Sequence, residues 1–244
     1  AVANGADNRI ATFSSSDALN GEANLTFDGS LLSVQDGDIA IQANSADAND
    51  LQVIFQKSRH ATDGSHTAVQ DNDKLGSIEW YGSDGTDYAP AASIFSRVNG
   101  TPGNDDMPGE LVFATTADGA NAVSERMVID NAGNVGIGTT EPGSLLEVRG
   151  PTGTGGILTL STTDTKIVSG DVLGRINFQA PVESSGTDAI LSGASIHALA
   201  TDTFATDNNE TALVFSTASG DTEHNSATSG ALFERMRITS AGNV

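Results

Sequence analysis

The stretch ERMVIDNAGNVGIGTTEP occupies residues 125–142, and a shortened copy, ERMRITSAGNV, occupies 234–244. Met127 alternates with Ile129, as Met236 does with Ile238, so each copy opens as a strand with one apolar face. Asn-Ala-Gly-Asn then signals a turn, because Gly and Asn accept positive φ. Beyond it Val135 and Ile137 alternate with Gly136 and Gly138, and Pro142 stops strand pairing. The run Gly133, Asn134, Val135, Gly136, Ile137 and Gly138 reads in two ways. Its glycine face would let chains meet closely at a common axis, which makes it a trimer-closing turn. Alternatively it is an ordinary hairpin, since glycine in a strand marks either a bulge or a close backbone approach.

The phrase belongs to a longer series that occurs twice in the same order. GSLLSV (29–34) matches GSLLEV (143–148), LGSIEW (75–80) matches LGRINF (173–178), LVFATT (111–116) matches LVFSTA (213–218), and ERMVI (125–129) matches ERMRI (234–238). This predicts a leading segment, 1–28, a first β unit, 29–142, and a second, 143–244, incomplete at its C-terminal end. Spacing between blocks differs in the two copies, which suits strands joined by loops that tolerate insertion. The polar, aperiodic run KSRHATDGSHTAVQDNDK (57–74) is expected to be a protruding loop. The region 179–212 matches least well.

Ile78 and Trp80 share one face of SIEWY, with Glu79 and Tyr81 on the other, and Ile176 and Phe178 repeat that face with Asn177 and Gln179 opposite. Trp80, aligned with Phe178, is therefore expected in the core. Gly, Asp, Asn and Pro punctuate the blocks, and no segment carries helical periodicity over 12 residues. The expected class is all-β. Short strands with few large apolar residues bury little alone, so stacking or chain association is expected.

The 244 residues contain 32 Asp and Glu against 11 Lys and Arg, a formal charge of −21. Such a surface repels phosphate backbones and anionic lipid, so neither nucleic acid nor membrane insertion is expected. Cysteine is absent, which removes disulfides, thiolate metal sites and a cysteine nucleophile. No apolar run approaches a membrane span. The start, AVANGADNRI, has neither an initiating Met nor an apolar stretch, so the chain is expected to be a processed or partial product. The halt of the second copy at Val244 reads as truncation, cleavage or lost order.

Sites for chemistry are sparse. Paired carboxylates such as Asp84 with Asp87 could flank a sugar as in glycosidases, but they sit in Gly-rich turns where Asp is favoured for backbone bonding. DNDKLG (71–76) begins like a calcium loop, with Asp71 and Asp73 as candidate ligands, yet Leu75 and Gly82 stand where ligands are needed. His60 and His66 could converge on a symmetry axis as metal ligands, or be loop histidines. His197, opposite Ile196, is expected to face outward. Tyr81, and Tyr88 in the loop that follows, would offer a stacking platform for sugar, and His60 and His66 are placed with them as weak candidates for receptor contact. GNVGIG lacks the third glycine of a dinucleotide fingerprint, and GPTGTGG (150–156) has no following Lys. No catalytic residue, metal or cofactor is assigned, and an enzyme is not expected.

Taken in order, these blocks closely resemble bacteriophage tail-fibre proteins. NRIATFSSSDALNGEANLTFDGSLLSV (8–34) looks like the segment that precedes such units, and residues 75–142, LGSIEWYG through GIGTTEP, look like the fibre repeat itself. The resemblance implies an elongated homotrimeric fibre built of two tandem β-rich repeats, in which short strands find partners on neighbouring chains. It also implies a structural role in host attachment, other virion tail components as partners, a host surface glycan or protein as target, and a place in the virion tail fibre, extracellular after release. In such fibres the NVGIGTT phrase often precedes an intramolecular chaperone that cleaves itself off after trimerisation. A glycan-specific receptor-binding module is the rival reading, and a polysaccharide depolymerase a more distant one.

Overall fold

The computed structural model describes residues 9–15, 18–27, 31–42, 46, 48, 51–179, 192–218 and 232–244, with backbone pairing alone for 9–27. Residues 180–191 of the weakly matching region 179–212, and the first eight residues of the leading segment, lie outside them. Among the described residues the chain is all-β, as expected, with thirteen strands and no helix. It divides into two compact units, 1–69 and 70–244.

In the first unit β1 (Arg9–Ser15), β2 (Ala18–Phe27) and β3 (Leu32–Val34) form an antiparallel sheet in chain order. The boundary read at 28/29 thus falls between two strands of one sheet. Residues 51–57 belong to no strand, and Leu51, Val53, Ile54 and Phe55 are exposed. Within the aperiodic run that follows, residues 58–67 form a loop closed by its own bonds. Ser58 Oγ accepts from the amides of His60 and Thr67, and the Arg59 amide donates to the Thr67 carbonyl.

The second unit holds two sheets. β4 (Lys74–Ser83), β5 (Tyr88–Val98), β6 (Gly109–Thr116), β7 (Val123–Ile129) and β8 (Val135–Ile137) run antiparallel in order, and β9 (Leu146–Val148) adds parallel to β8. β10 (Val172–Gln179), β11 (Ser192–Ala200), β12 (Thr211–Ala218) and β13 (Leu232–Ile238) form an antiparallel meander. No strand of one sheet packs on a strand of the other among the described residues.

The two sheets share a register. Ile78, Ile94, Phe113 and Met127 stand side by side across β4 to β7, and Ile176, Ile196, Phe215 and Met236 do so across β10 to β13. β7 and β13 both bulge within Glu-Arg-Met, so that Arg126 and Arg235 are the extra residues. Each bulged arginine donates Nε to a threonine of the preceding strand, Thr115 at 3.0 Å and Thr217 at 2.9 Å. The bulge shifts the alternation by one, so Glu125 shares a face with Val128, and Glu234 with Arg237.

One expectation is corrected. Trp80, read as core from its alignment with Phe178, is 48% exposed, and Phe178 is 53% exposed; Ile78 and Ile176 on the same faces are 52% and 46% exposed. The core lies on the opposite face, where Phe95, Val112, Ala114 and Val128 cluster with Val123 packed against them. Alternation tells which residues share a face, not which face is covered. β5 to β7 carry apolar residues on both.

Candidate functional site

The turn after β7 is built by Asp130. Its Oδ1 accepts from the amides of Ala132 (2.9 Å) and Asn134 (2.8 Å), and its Oδ2 from Asn134 Nδ2. These donors, led by the Asn134 amide, hold the Asp130 carboxyl below its usual range. Gly133 takes φ 84° at the reversal. The copy at 239–243 is made the same way: the Thr239 amide donates to the Asn243 carbonyl, Thr239 Oγ1 accepts from the Asn243 amide, and Gly242 has φ 79°. Gly136 and Gly138 meet backbone of this same chain. A side chain at Gly136 would strike the Thr139 carbonyl and Val128, and one at Gly138 would strike the Arg149 carbonyl. A close approach at these glycines is therefore made within the chain, by Val128 of β7, Thr139 after β8 and Arg149 just past β9.

Arg97 of β5 is the charged centre of the buried face. Its Nη1 and Nη2 donate to the two oxygens of Glu125 at 2.9 and 3.2 Å, and its Nε donates to Glu110. Glu110 is 3% exposed and also accepts from Asn99 Nδ2 at 2.7 Å. Burial opposes the Arg97 charge, yet the bonds to Glu125 and Glu110 raise its pKa. One guanidinium so satisfies two carboxylates. Sequence reading missed this network, because its members are 13 and 28 residues apart and only the strand register brings them together.

Tyr81 and Tyr88 lie on the β4–β5 hairpin and are 53% and 77% exposed. Tyr88 opens β5, paired with Ser83, and is not a loop residue as expected. Tyr81 Oη donates to Glu79 Oε2 at 2.8 Å, which lowers the Glu79 carboxyl and raises the Tyr81 phenol. The turn between the strands is tied by Asp84, whose Oδ1 accepts from the amides of Thr86 and Asp87. His60 and His66 belong to the other unit; His60 Nδ1 accepts from the Thr62 amide at 3.0 Å.

Asp71 and Asp73 organise the approach to β4. Asp71 accepts from the Gly100 amide at 2.8 Å, and Asp73 from the Gln70 amide at 2.9 Å. Asp171 repeats the second bond before β10, accepting from the Val168 amide at 2.7 Å. Among the described residues no three His, Cys, Asp or Glu side chains gather as a metal centre.

His197 does not simply face outward. It is half-buried and lines a shallow groove of about 400 Å³ with Arg175, Ser195, Ser216 and Glu234 on the face opposite Ile196. Burial first, then the Arg175 charge, push its pKa down, while Glu234 works the other way. The signal for this groove lay in the aligned copies, where Arg175 stands for Ser77 and His197 for Phe95.

No protein-family profile and no curated protein matches the chain. Among solved structures it is similar to the carboxy-terminal domain of the bacteriophage T5 L-shaped tail fibre, at 10% identity and a TM-score of 0.35, over 84% of this chain and 89% of that one. It is also similar to that domain together with its intramolecular chaperone domain, at 14% identity and a TM-score of 0.35, over 84% of this chain and 61% of that one, less than two thirds of its length.

Proposed function

We propose that this chain is a structural segment of a phage tail fibre, that it consists of two tandem β units, and that it works as a homotrimer. The observation that supports association best is the outward apolar rung of each sheet. Ile78 and Trp80, and Ile176, Phe178, Leu213 and Met236, stand 40–53% exposed in the single chain. Soluble chains rarely leave contiguous apolar faces to water. Leu51, Val53, Ile54 and Phe55, with Ile157 and Leu158, add segments outside any strand whose apolar side chains are also open. A neighbouring chain would cover both. The number three, the place in the virion and the contact with other tail components rest on the resemblance of the ordered sequence blocks.

The test is a pair of charged substitutions on the rung, Ile176→Asp with Phe178→Asp. Both side chains project from the face away from the groove, so the double variant should keep its β circular dichroism yet lose association in light scattering. A variant that associates as the parent does would remove the rung from the interface.

Host attachment through a surface glycan is the second reading. Two exposed tyrosines on one hairpin favour it, since an open aromatic face can stack on sugar. Adsorption to host cells should weaken in Tyr81→Ala with Tyr88→Ala; undiminished adsorption would exclude these residues as the contact.

A further inference from the structure

The polar faces of the two sheets differ at matched positions. Taking the shared Ile-Ile-Phe-Met rung as reference, Ser77, Phe95, Val112 and Val128 of the first sheet correspond to Arg175, His197, Val214 and Arg237 of the second. In the first sheet Phe95, Val112 and Val128 close together as core. In the second, two guanidiniums and an imidazole surround one valine. Groups that are charged or strongly hydrated cannot close on one another, and a groove is left. The neighbouring rung supplies Ser195 and Ser216, 2% and 4% exposed, where the first sheet has Ser93 and Ala114.

The charges in this groove are unevenly paired. Glu234 accepts from Arg237 Nε at 2.7 Å and from Nη2 at 2.6 Å, a two-point bond made possible by the bulge at Arg235. Its carboxyl lies below its ordinary range, through Arg237 first. Arg175 is exposed, and its side chain has no hydrogen bond or ion pair to another described residue. A guanidinium with no side-chain partner among the described residues, beside a half-buried imidazole and two hydroxyls, is a donor set for an oxyanion, because the planar fork of arginine fits two oxygens at once.

We propose that the groove of Arg175, His197, Ser195 and Ser216 binds an oxyanion, the carboxylate or phosphate group of a polar ligand, with Arg175 as the charged anchor. The chain as a whole is strongly acidic, with a formal charge of −21. At physiological salt that field is screened over about 8 Å, so the groups within the groove decide the contact. The groove lies on the face opposite Ile176, Ile196, Phe215 and Met236. Association through that rung leaves it open, and binding is read independently of the number of chains.

His197 supplies the readout. Among the described residues, the charged groups that face it are Arg175 on β10 and Glu234 and Arg237 on β13, while β12 contributes the uncharged Val214 and Ser216. An anion on Arg175 would offset the charge that depresses the imidazole. The experiment is an NMR titration of the histidine rings in the full chain, with glucuronate and, separately, inorganic phosphate, at constant ionic strength. The expected result is a saturable shift of His197 and a rise in its pKa of roughly half a unit or more, the effect of an opposite charge within a few ångströms. Arg175→Ser, which installs the residue found at this register in the first sheet, should weaken binding about tenfold or more with the fold intact by circular dichroism. Arg149→Ser, at an exposed pair with Glu147, should leave binding unchanged. Tighter glucuronate identifies the source as an acidic sugar, and tighter phosphate as a phosphate ester. No saturable shift of His197 with either anion, or the same shift in Arg175→Ser, would overturn the proposal.

Discussion

At the scale of single residues, Arg97 shows how much of the first sheet depends on one charge. Removing it leaves Glu110, which is 3% exposed, and Glu125 facing each other without a cation. Arg97→Ala should therefore cost about 3 kcal/mol, as breaking a buried ion pair does, measured as a fall in the urea midpoint of unfolding. A loss under about 0.5 kcal/mol would mean that the pair behaves as a surface salt bridge. The pH profile follows from other residues. Asp130 has a lowered carboxyl in the folded chain, so its contribution is present above the ordinary Asp range, about 3.9, and is lost as pH falls through the lowered value. His197 is lowered too. The unfolded chain takes up its proton first, so stability is full above about 6.5 and declines as pH drops through the folded value. Unfolding midpoints measured from pH 8 down to pH 3 should be flat at the top and fall in two stages. A midpoint that rises between pH 6.5 and 5 would contradict the environment given to His197.

At the scale of elements, the turns were the most legible part of the chain. Asp-Asn-Ala-Gly-Asn and Thr-Ser-Ala-Gly-Asn fold alike because an acceptor side chain at the first position and glycine at the fourth are all the turn requires. Gly133 and Gly138 separate two demands that sequence cannot distinguish. Gly133 has positive φ with open space around the site of a side chain, whereas Gly138 combines φ 75° with the Arg149 carbonyl in the way. Gly133→Asn should cost less than about 1 kcal/mol, since Asn tolerates this region. Gly138→Ala should cost about 2 kcal/mol or more, from strain and overpacking together. Equal losses in thermal unfolding would show that conformation alone sets both. The strand faces were only half legible. Alternation placed Ile78 with Trp80 and Ile176 with Phe178 correctly, but Val112 and Phe113 are both apolar neighbours on β6, and no local pattern says which of the two is covered. Arg97, Glu110 and Glu125 were illegible for a related reason: they meet only once the register of β5, β6 and β7 is fixed.

At the scale of the whole molecule, the apolar rungs need a cover that the single chain does not supply among its described residues. A lone chain exposes Trp80 and Phe178 at 48% and 53%, while the opposite face of the first sheet holds its core. This division is expected if the single chain is not the working unit. The matched sheets then present the same rung twice to a neighbour, and the polar groove of the second sheet remains on the other face. The measurement that tests this most directly is the absolute molar mass of the chain in solution, by light scattering coupled to size exclusion at physiological salt. A mass near three times 24.9 kDa, constant on dilution, is the predicted result. A species of 24.9 kDa that keeps its β spectrum and a cooperative melt would contradict it, and would mean that the exposed rungs need no partner.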